Sequence, residues 1–413
     1  MDEYEASDEA AVKDRLRYPA AIARVHELAN QGQRSDYSDV PPNATTVAGP
    51  GLEFDAPGMC ADFSCQAQNA DTNYGKLLHY YDYVVLQGPY ARGYLHRLDN
   101  LKSKKDHLNF EWTLVQDVLL LAHLRSIGLA NHVIFKSKKC YCSHHVEENA
   151  KLLGLGHLVN DEAVRDLAVK TSREGGVHIT QDGPRSWYIR LTSPLFAGSA
   201  GAFIEGKTKP KKVAAAESIL REWLTAAVFD AATAHEISAP LTAHGPTSLF
   251  DYHSDSGKSS VDDVAARIRI PVLQGLNTRE IIELRDNEYE HFEKFRQLLR
   301  EAVAETISKA DTDSPEKIAD MVWRYKVKPE VADIERKIKA SDKSIIRKLT
   351  ATALIGGLAA AVGNVANLPW LIGVGTAAAS IPMSQVVKAY DDRQQIEGSG
   401  MYFLWKADQA HGD

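Results

Sequence analysis

The chain has 413 residues, with 48 Lys and Arg against 55 Asp and Glu, a formal net charge of −7. That length gives room for two or three domains of about 100–200 residues, and the acidic balance carries no bulk signal for nucleic-acid binding. Four cysteines are too few for a disulfide framework, and the acidic start MDEYEASDEAAVKDR lacks the apolar core of a secretory signal. A reducing, cytoplasmic setting is expected.

In chain order, Asp8 to Asn30 carries Val12, Leu16, Ile22, Val25 and Leu28 at helical spacing, interrupted by Pro19. Residues 35–73 are rich in Pro, Gly, Ser, Asn and Asp, with PPNATTVAGPG at their centre, and read as a long irregular segment. His79–Gly88 (HYYDYVVLQG) predicts a buried strand. Phe110–Ile127 predicts a Leu-rich helix, which Gly128 stops in the manner of a C′ glycine. Asn131–Ser137 predicts a second strand, and Glu147–Leu158 and Asp161–Thr171 two further helices. Val177–Thr180 and Trp187–Thr192, joined by QDGPRS, predict an antiparallel hairpin. A long Ala-rich helix over Val213–Ile237 and a short strand over Ala239–Ala243 complete the rhythm of an α/β domain with a mainly parallel sheet.

From Gly275 onward the pattern is helical. Asn277 with Glu280 three residues on is a capping-box pattern, and Ile281, Leu284, Phe292, Phe295 and Leu299 give the helix one apolar face. Ser314-Pro315 opens another helix. Thr350 to Val387 then runs for 38 residues without a charged side chain, holding nine Ala, five Gly and fourteen large apolar residues. Pro369 with Asn364 and Asn367 divides it into two arms, each reaching about 27–29 Å as a helix, close to a bilayer's hydrocarbon thickness. Lys337, Lys339, Lys343, Arg347 and Lys348 on one flank, with Lys388 and Arg393 on the other, suit a hairpin with both ends cytoplasmic. In length and placement the stretch resembles the hydrophobic hairpin of pore-forming colicins, with which it shares no motif. Burial as a core hairpin satisfies the same composition.

Several constellations could carry chemistry. Cys140, Cys142 and His144 alternate after a predicted strand, and in extended chain they share a face. With Cys60 or Cys65 they could complete a tetrahedral zinc site, although the spacing is not the usual C-x₂-C knuckle. Lys102, Lys104 and Lys105, then Lys136, Lys138 and Lys139, then Lys207, Lys209, Lys211 and Lys212 form three basic clusters at element ends. Gathered together they would bind anions, with Lys209, Lys211 and Lys212 at the centre; as solvated loop ends they would not. GAFIEGKT (Gly201–Thr208) matches a P-loop formally, but Phe203, Ile204 and Glu205 are wrong for holding phosphate. Asp82 is the one carboxylate placed for a metal-dependent nuclease. DAATAHEISAPLTAH (Asp230–His244) resembles the late helix and strand of PIN-domain nucleases. Ala227 stands where that family has an acid and His244 replaces another, so the resemblance implies a degenerate relative.

The fold class expected is α/β, a mainly parallel sheet with a β-hairpin, followed by an all-α C-terminal domain containing a hydrophobic helical hairpin. Its domains span 1–73, 74–274 and 275–413, with the hairpin over 350–387. The function expected is that of an intracellular effector, toxin-like or defence-type, whose α/β domain senses or docks something and whose hairpin acts on a membrane. The alternative is a soluble enzyme or scaffold with the hairpin as buried core. Leu354, Ile355, Leu358, Gly363, Trp370, Leu371, Ile372 and Val374 would face lipid at the inner side of the cell membrane. A protein partner and a homo-oligomer stay open, no cofactor is expected unless the cysteine cluster takes zinc, and nucleic acid is not expected.

Overall fold

The computed structural model describes residues 8–31, 41, 44–49, 52–54, 60–89, 91–136, 143–193, 199–242, 276–310, 315–333, 399 and 402–404. The uncharged stretch 350–387, including Leu354, Ile355, Leu358, Gly363, Trp370, Leu371, Ile372 and Val374, lies outside these residues. Among the described residues no helix is long and apolar enough to cross a membrane. The chain divides into two compact units, Met1–Ala266 with Asn277–Glu283, and Arg267–Leu276 with Leu284–Asp413.

The first unit opens on α1 (Glu9–Leu16), capped by the Asp8 carboxylate, and α2 (Pro19–Gln31). Pro19 ends one helix and opens the next, because it lacks the N–H that a continuous helix needs but suits a first turn. Then come β1 (Thr45–Ala48), α3 (Phe63–Asn73), α4 (Gly75–Leu78), β2 (Tyr83–Gln87), α5 (Ala91–Asp99), α6 (Lys104–Ser126) and β3 (Val133–Lys136). Helices α7 (Ser143–Leu152), α8 (Gly156–Val159) and α9 (Asp161–Arg173) lead into β4 (Val177–Gly183), β5 (Ser186–Leu191) and β6 (Ala200–Glu205). The long α10 (Lys212–Glu236) and β7 (Leu241–Thr242) follow.

Strands β1, β2, β3 and β7 form a parallel sheet in the order β3-β2-β1-β7, with Val47 opposite both Val85 and Leu241 and Gln87 opposite Lys136. The expected mainly parallel sheet is therefore present. One of its two central strands, β1, lies in the segment read as irregular. TTVA is short and flanked by turn residues, so it carries little strand signal alone. It is buried at every position because neighbours cover both faces, the usual state of a parallel strand. Strands β4, β5 and β6 form a separate antiparallel sheet in chain order, the third strand extending the expected hairpin. That strand also removes the P-loop match, since Gly201–Glu205 is extended chain within β6 and no phosphate loop.

Helix α10 serves both sheets, contacting β1 and β7 of one and β4, β5 and β6 of the other. Its second half is buried almost all round, from Ala226 to Ala234, and the small alanines allow close approach on every side. Ile189, Leu191, Val177, Ile219 and Leu220 form the core beneath the antiparallel sheet.

In the C-terminal helical region, α11 (Thr278–Asn287) begins on the expected box: Asn277 Oδ1 accepts from Glu280 N–H at 2.9 Å, and Glu280 Oε2 from Asn277 N–H at 2.7 Å. Helices α12 (Tyr289–Lys309) and α13 (Pro315–Val322) continue, the latter running into a π-helical turn over Trp323–Val327. Phe292 and Phe295 of α12 pack on Phe403, ring centroids 5.2 and 5.6 Å apart, so Tyr402–Leu404 closes onto this helix.

Candidate functional site

Side chains at open loop ends seldom hold a charge out of water, so a fully buried set of charges is the most informative feature of the first unit. Lys136, the last residue of β3, is 5% exposed, and Glu53 and Asp230 are completely buried. The Lys136 ammonium donates to Asp230 Oδ1 at 2.6 Å and lies 2.9 Å from Glu53 Oε1. Three distant segments thus meet at one point: the chain after β1, the end of β3 and the second half of α10.

Local hydrogen bonds fix Glu53 there. Leu52 N–H donates to Gly49 O, Phe54 N–H to Gln87 O, and Gln87 N–H to Glu53 Oε1 at 3.0 Å. Gln66 Nε2 donates to Phe54 O at 2.9 Å, the Tyr74 hydroxyl donates to Leu52 O, and the Phe54 and Tyr74 rings stack. Residues 52–54 are therefore sewn to the end of β2 and to α3.

The cluster stands over the carboxyl ends of β1, β2 and β3. In open parallel sheets ligands bind outside the carboxyl ends of the strands, where the strand order changes direction. Here the chain steps outward from β1 to β2 and β3, then returns to place β7 on the other side of β1. That geometry puts the cluster beside a position that such folds use for binding.

One lysine faces two carboxyls. Burial, followed by the charge of Glu53, pushes Asp230 up to about 8, with Lys136 opposing the shift. Asp230 consequently keeps its proton at neutral pH. Burial by itself would lower the Lys136 ammonium, but Asp230 and then Glu53 more than offset it and hold the lysine above its ordinary value. Burial, with Glu53 nearby, also raises the Tyr74 phenol well above its usual range. Among the described residues no N–H or hydroxyl of another side chain reaches Glu53 Oε2 or Asp230 Oδ2, and the Asp230 proton lies within hydrogen-bond reach of Glu53.

The residues singled out from sequence are placed otherwise. Asp82 precedes β2, so it lies at the amino edge of the parallel sheet, about 16 Å along the strand from the cluster at ~3.3 Å per residue. Its backbone N–H donates to Ala44 O, and its carbonyl lies 2.9 Å from His132 Nδ1. Cys140 and Cys142 lie outside the described residues. His144 belongs to helix α7 instead of an extended run, and among the described residues it groups with His145 and Glu148, not with Cys60 or Cys65. Cys60 and Cys65 are exposed at the start of α3, the Cys65 thiol raised first by its contact with Cys60. Lys209, Lys211 and Lys212 are exposed just before and at the start of α10. Lys136, counted among the basic clusters, is instead a buried ion-pair partner.

Sequence reasoning missed Glu53 and Lys136 as site residues, and treated Asp230 only as the start of a family-like segment. Signals existed: Lys136 ends the apolar run VIF, and Asp230 is the lone carboxylate in the apolar stretch AAVFDAATA. A charge embedded in an otherwise apolar, buried stretch needs a partner.

Strand order and cluster together define an α/β protein with an acid–lysine–acid group at the carboxyl edge of its parallel sheet. No protein-family model, curated protein or solved structure matches the chain.

Proposed function

We propose that the protein is an effector-type chain whose α/β unit senses or docks a small ligand at the carboxyl edge of the parallel sheet. Its uncharged stretch over 350–387 then acts on a membrane. The observation that carries the sensing part is the buried Glu53–Lys136–Asp230 group at that edge, where one ammonium serves two carboxyls. One buried cation cannot balance two carboxylates, so in this group one acid is held protonated for want of a second cation. A ligand offering hydrogen-bond donors, such as sugar hydroxyls or an amine, or a divalent cation, would supply that second partner.

The test is thermal unfolding of the full chain with ribose, nucleosides, polyamines, Mg²⁺ and Mn²⁺. One class should raise the melting temperature of the parent and leave a Glu53→Gln, Asp230→Asn double variant unmoved. No shift with any of them would remove the sensing reading. The alternative of a metal-dependent, PIN-like hydrolase draws on the same convergence of two carboxyls, since such chemistry needs clustered acids around its ions. Mn²⁺-dependent phosphodiester cleavage that disappears in the double variant would favour it.

A further inference from the structure

The antiparallel sheet has an inner face and an outer face. Val177, Ile189, Leu191 and Ala200 point to the core. Alternation therefore sends His178, Thr180, Tyr188, Arg190, Gly201, Phe203 and Glu205 outward. The strand register fixes their neighbours: His178 is opposite Arg190, Arg190 opposite Gly201, Thr180 opposite Tyr188, and Tyr188 opposite Phe203.

Two aromatic rings thus sit side by side on this face. The Tyr188 and Phe203 centroids are 5.0 Å apart and the planes tilt by 45°. Phe203 is 64% exposed, an unusual state for a phenylalanine on a sheet that already has a buried side. Gly201 shapes the pair. A Cβ at that position would meet the Tyr188 hydroxyl oxygen at 2.5 Å and ring carbons at 3.0 Å, so only glycine lets the tyrosine lie down against β6.

Polar and cationic side chains border the rings at both ends of the strands. His178 and Arg190 are exposed at one end. At the other, Gly206 N–H donates to Arg185 O at 2.9 Å and Trp187 Nε1 donates to Gly206 O at 3.0 Å, which clamps the β4–β5 turn to the end of β6. Exposed Arg185 and Lys207 lie on that clamp, with Lys209, Lys211 and Lys212 just beyond. Lys105 adds to it, its ammonium 3.8 Å from Glu205, so the start of α6 and the end of β6 share one region. Two of the three basic clusters therefore meet beside this sheet. Glu205, which faces Lys105, and Asp182 in the β4–β5 hairpin are acids at this end of the sheet. The net charge of the whole chain hides this local excess.

We infer that the outer face of β4, β5 and β6 binds single-stranded nucleic acid, with Phe203 and Tyr188 stacking bases and the flanking arginines and lysines taking the phosphates. Adjacent aromatics, here an exposed Phe203 beside a half-buried Tyr188, on a sheet face bordered by cations are the combination such platforms use, because every base offers a stackable face and every linkage a charge. This site is separate from the buried cluster and does not depend on the sensing reading.

The experiment is fluorescence anisotropy of labelled oligo-dT and oligo-U against the full chain, at about 50 and about 200 mM salt. The parent should bind both oligomers, more tightly at low salt. Phe203→Ala should weaken binding by about tenfold, the loss of one base–aromatic stack, with the melting temperature unchanged because the ring is exposed. Phe203→Tyr should restore it. Lys209→Glu with Lys211→Glu should weaken binding and flatten its salt dependence. Absence of binding to either oligomer, or binding indifferent to Phe203→Ala, overturns the inference. So does Phe203-dependent binding only to vesicles of equal parts phosphatidylcholine and phosphatidylserine, which would assign the face to lipid.

Discussion

At the scale of the residue, the decisive group is Asp230. Its carboxyl lies within reach of one ammonium that Glu53 also claims, and in a dry environment one cation cannot hold two anions without penalty. Asp230 stands at about 8 in the folded chain against an ordinary 3.8. Between those values the folded protein keeps a proton that the unfolded chain has released. The group's contribution is fully present below about pH 4 and is lost as pH rises to about 8, with a slope of up to about 1.4 kcal/mol per unit. Asp230→Asn mimics the protonated acid, so its stability relative to the parent should rise across that window. Urea unfolding of both proteins at several pH values measures the difference. A difference that is flat with pH would mean that Asp230 is ionised throughout.

At the scale of the element, boundaries follow caps more than apolar periodicity. Helix α6 begins at Lys104, six residues before the apolar pattern begins at Phe110. Ser103 and Asp106 form a reciprocal capping box that starts the helix through a polar first turn. The helix stops where expected. Gly128 has φ +77°, and a Cβ there would also stand 3.0 Å from Ile282 Cγ2 on α11. Gly128→Ala adds left-handed strain of about 1–2 kcal/mol to that crowding. It should lower the melting temperature by several degrees, measurable by calorimetry, while a parent-like value would show that the turn relaxes freely. The neighbouring start of α11 is fixed by Thr278, whose hydroxyl donates to Ala70 O at 2.6 Å and accepts from Gly75 N–H at 2.9 Å.

At the scale of the whole molecule, the question is whether stretch 350–387 reaches lipid. Its small residues suit close helix packing, and its fourteen large apolar residues give only marginal insertion, at about 0.3–0.6 kcal/mol each. Gly363→Leu adds apolar surface and obstructs close packing at once. If the stretch acts on membranes, this variant should float with liposomes as strongly as the parent or more so. If the stretch is core, the variant should only melt earlier and stay off the vesicles. Flotation together with thermal unfolding separates the two outcomes.

What the sequence determined by itself was local. The helical reading of α10, the strand cores YVVLQ and VIFK, the β4–β5 hairpin and the Asn277 capping box follow from side-chain period, β-branched runs and short polar turn signals, all of which act over a few residues. Tertiary structure alone decided the rest. TTVA became a central strand because β2 and β7 supply both ladders and the surrounding helices cover it. AGAFIE became a third antiparallel strand because β5 offered an edge. The site followed the same rule. Glu53, Lys136 and Asp230 are 83 and 94 residues apart in succession, and no local pattern relates them. They meet because a parallel sheet brings its carboxyl ends to one edge, and because the second half of α10, buried almost all round, must neutralise the single carboxylate it carries inward.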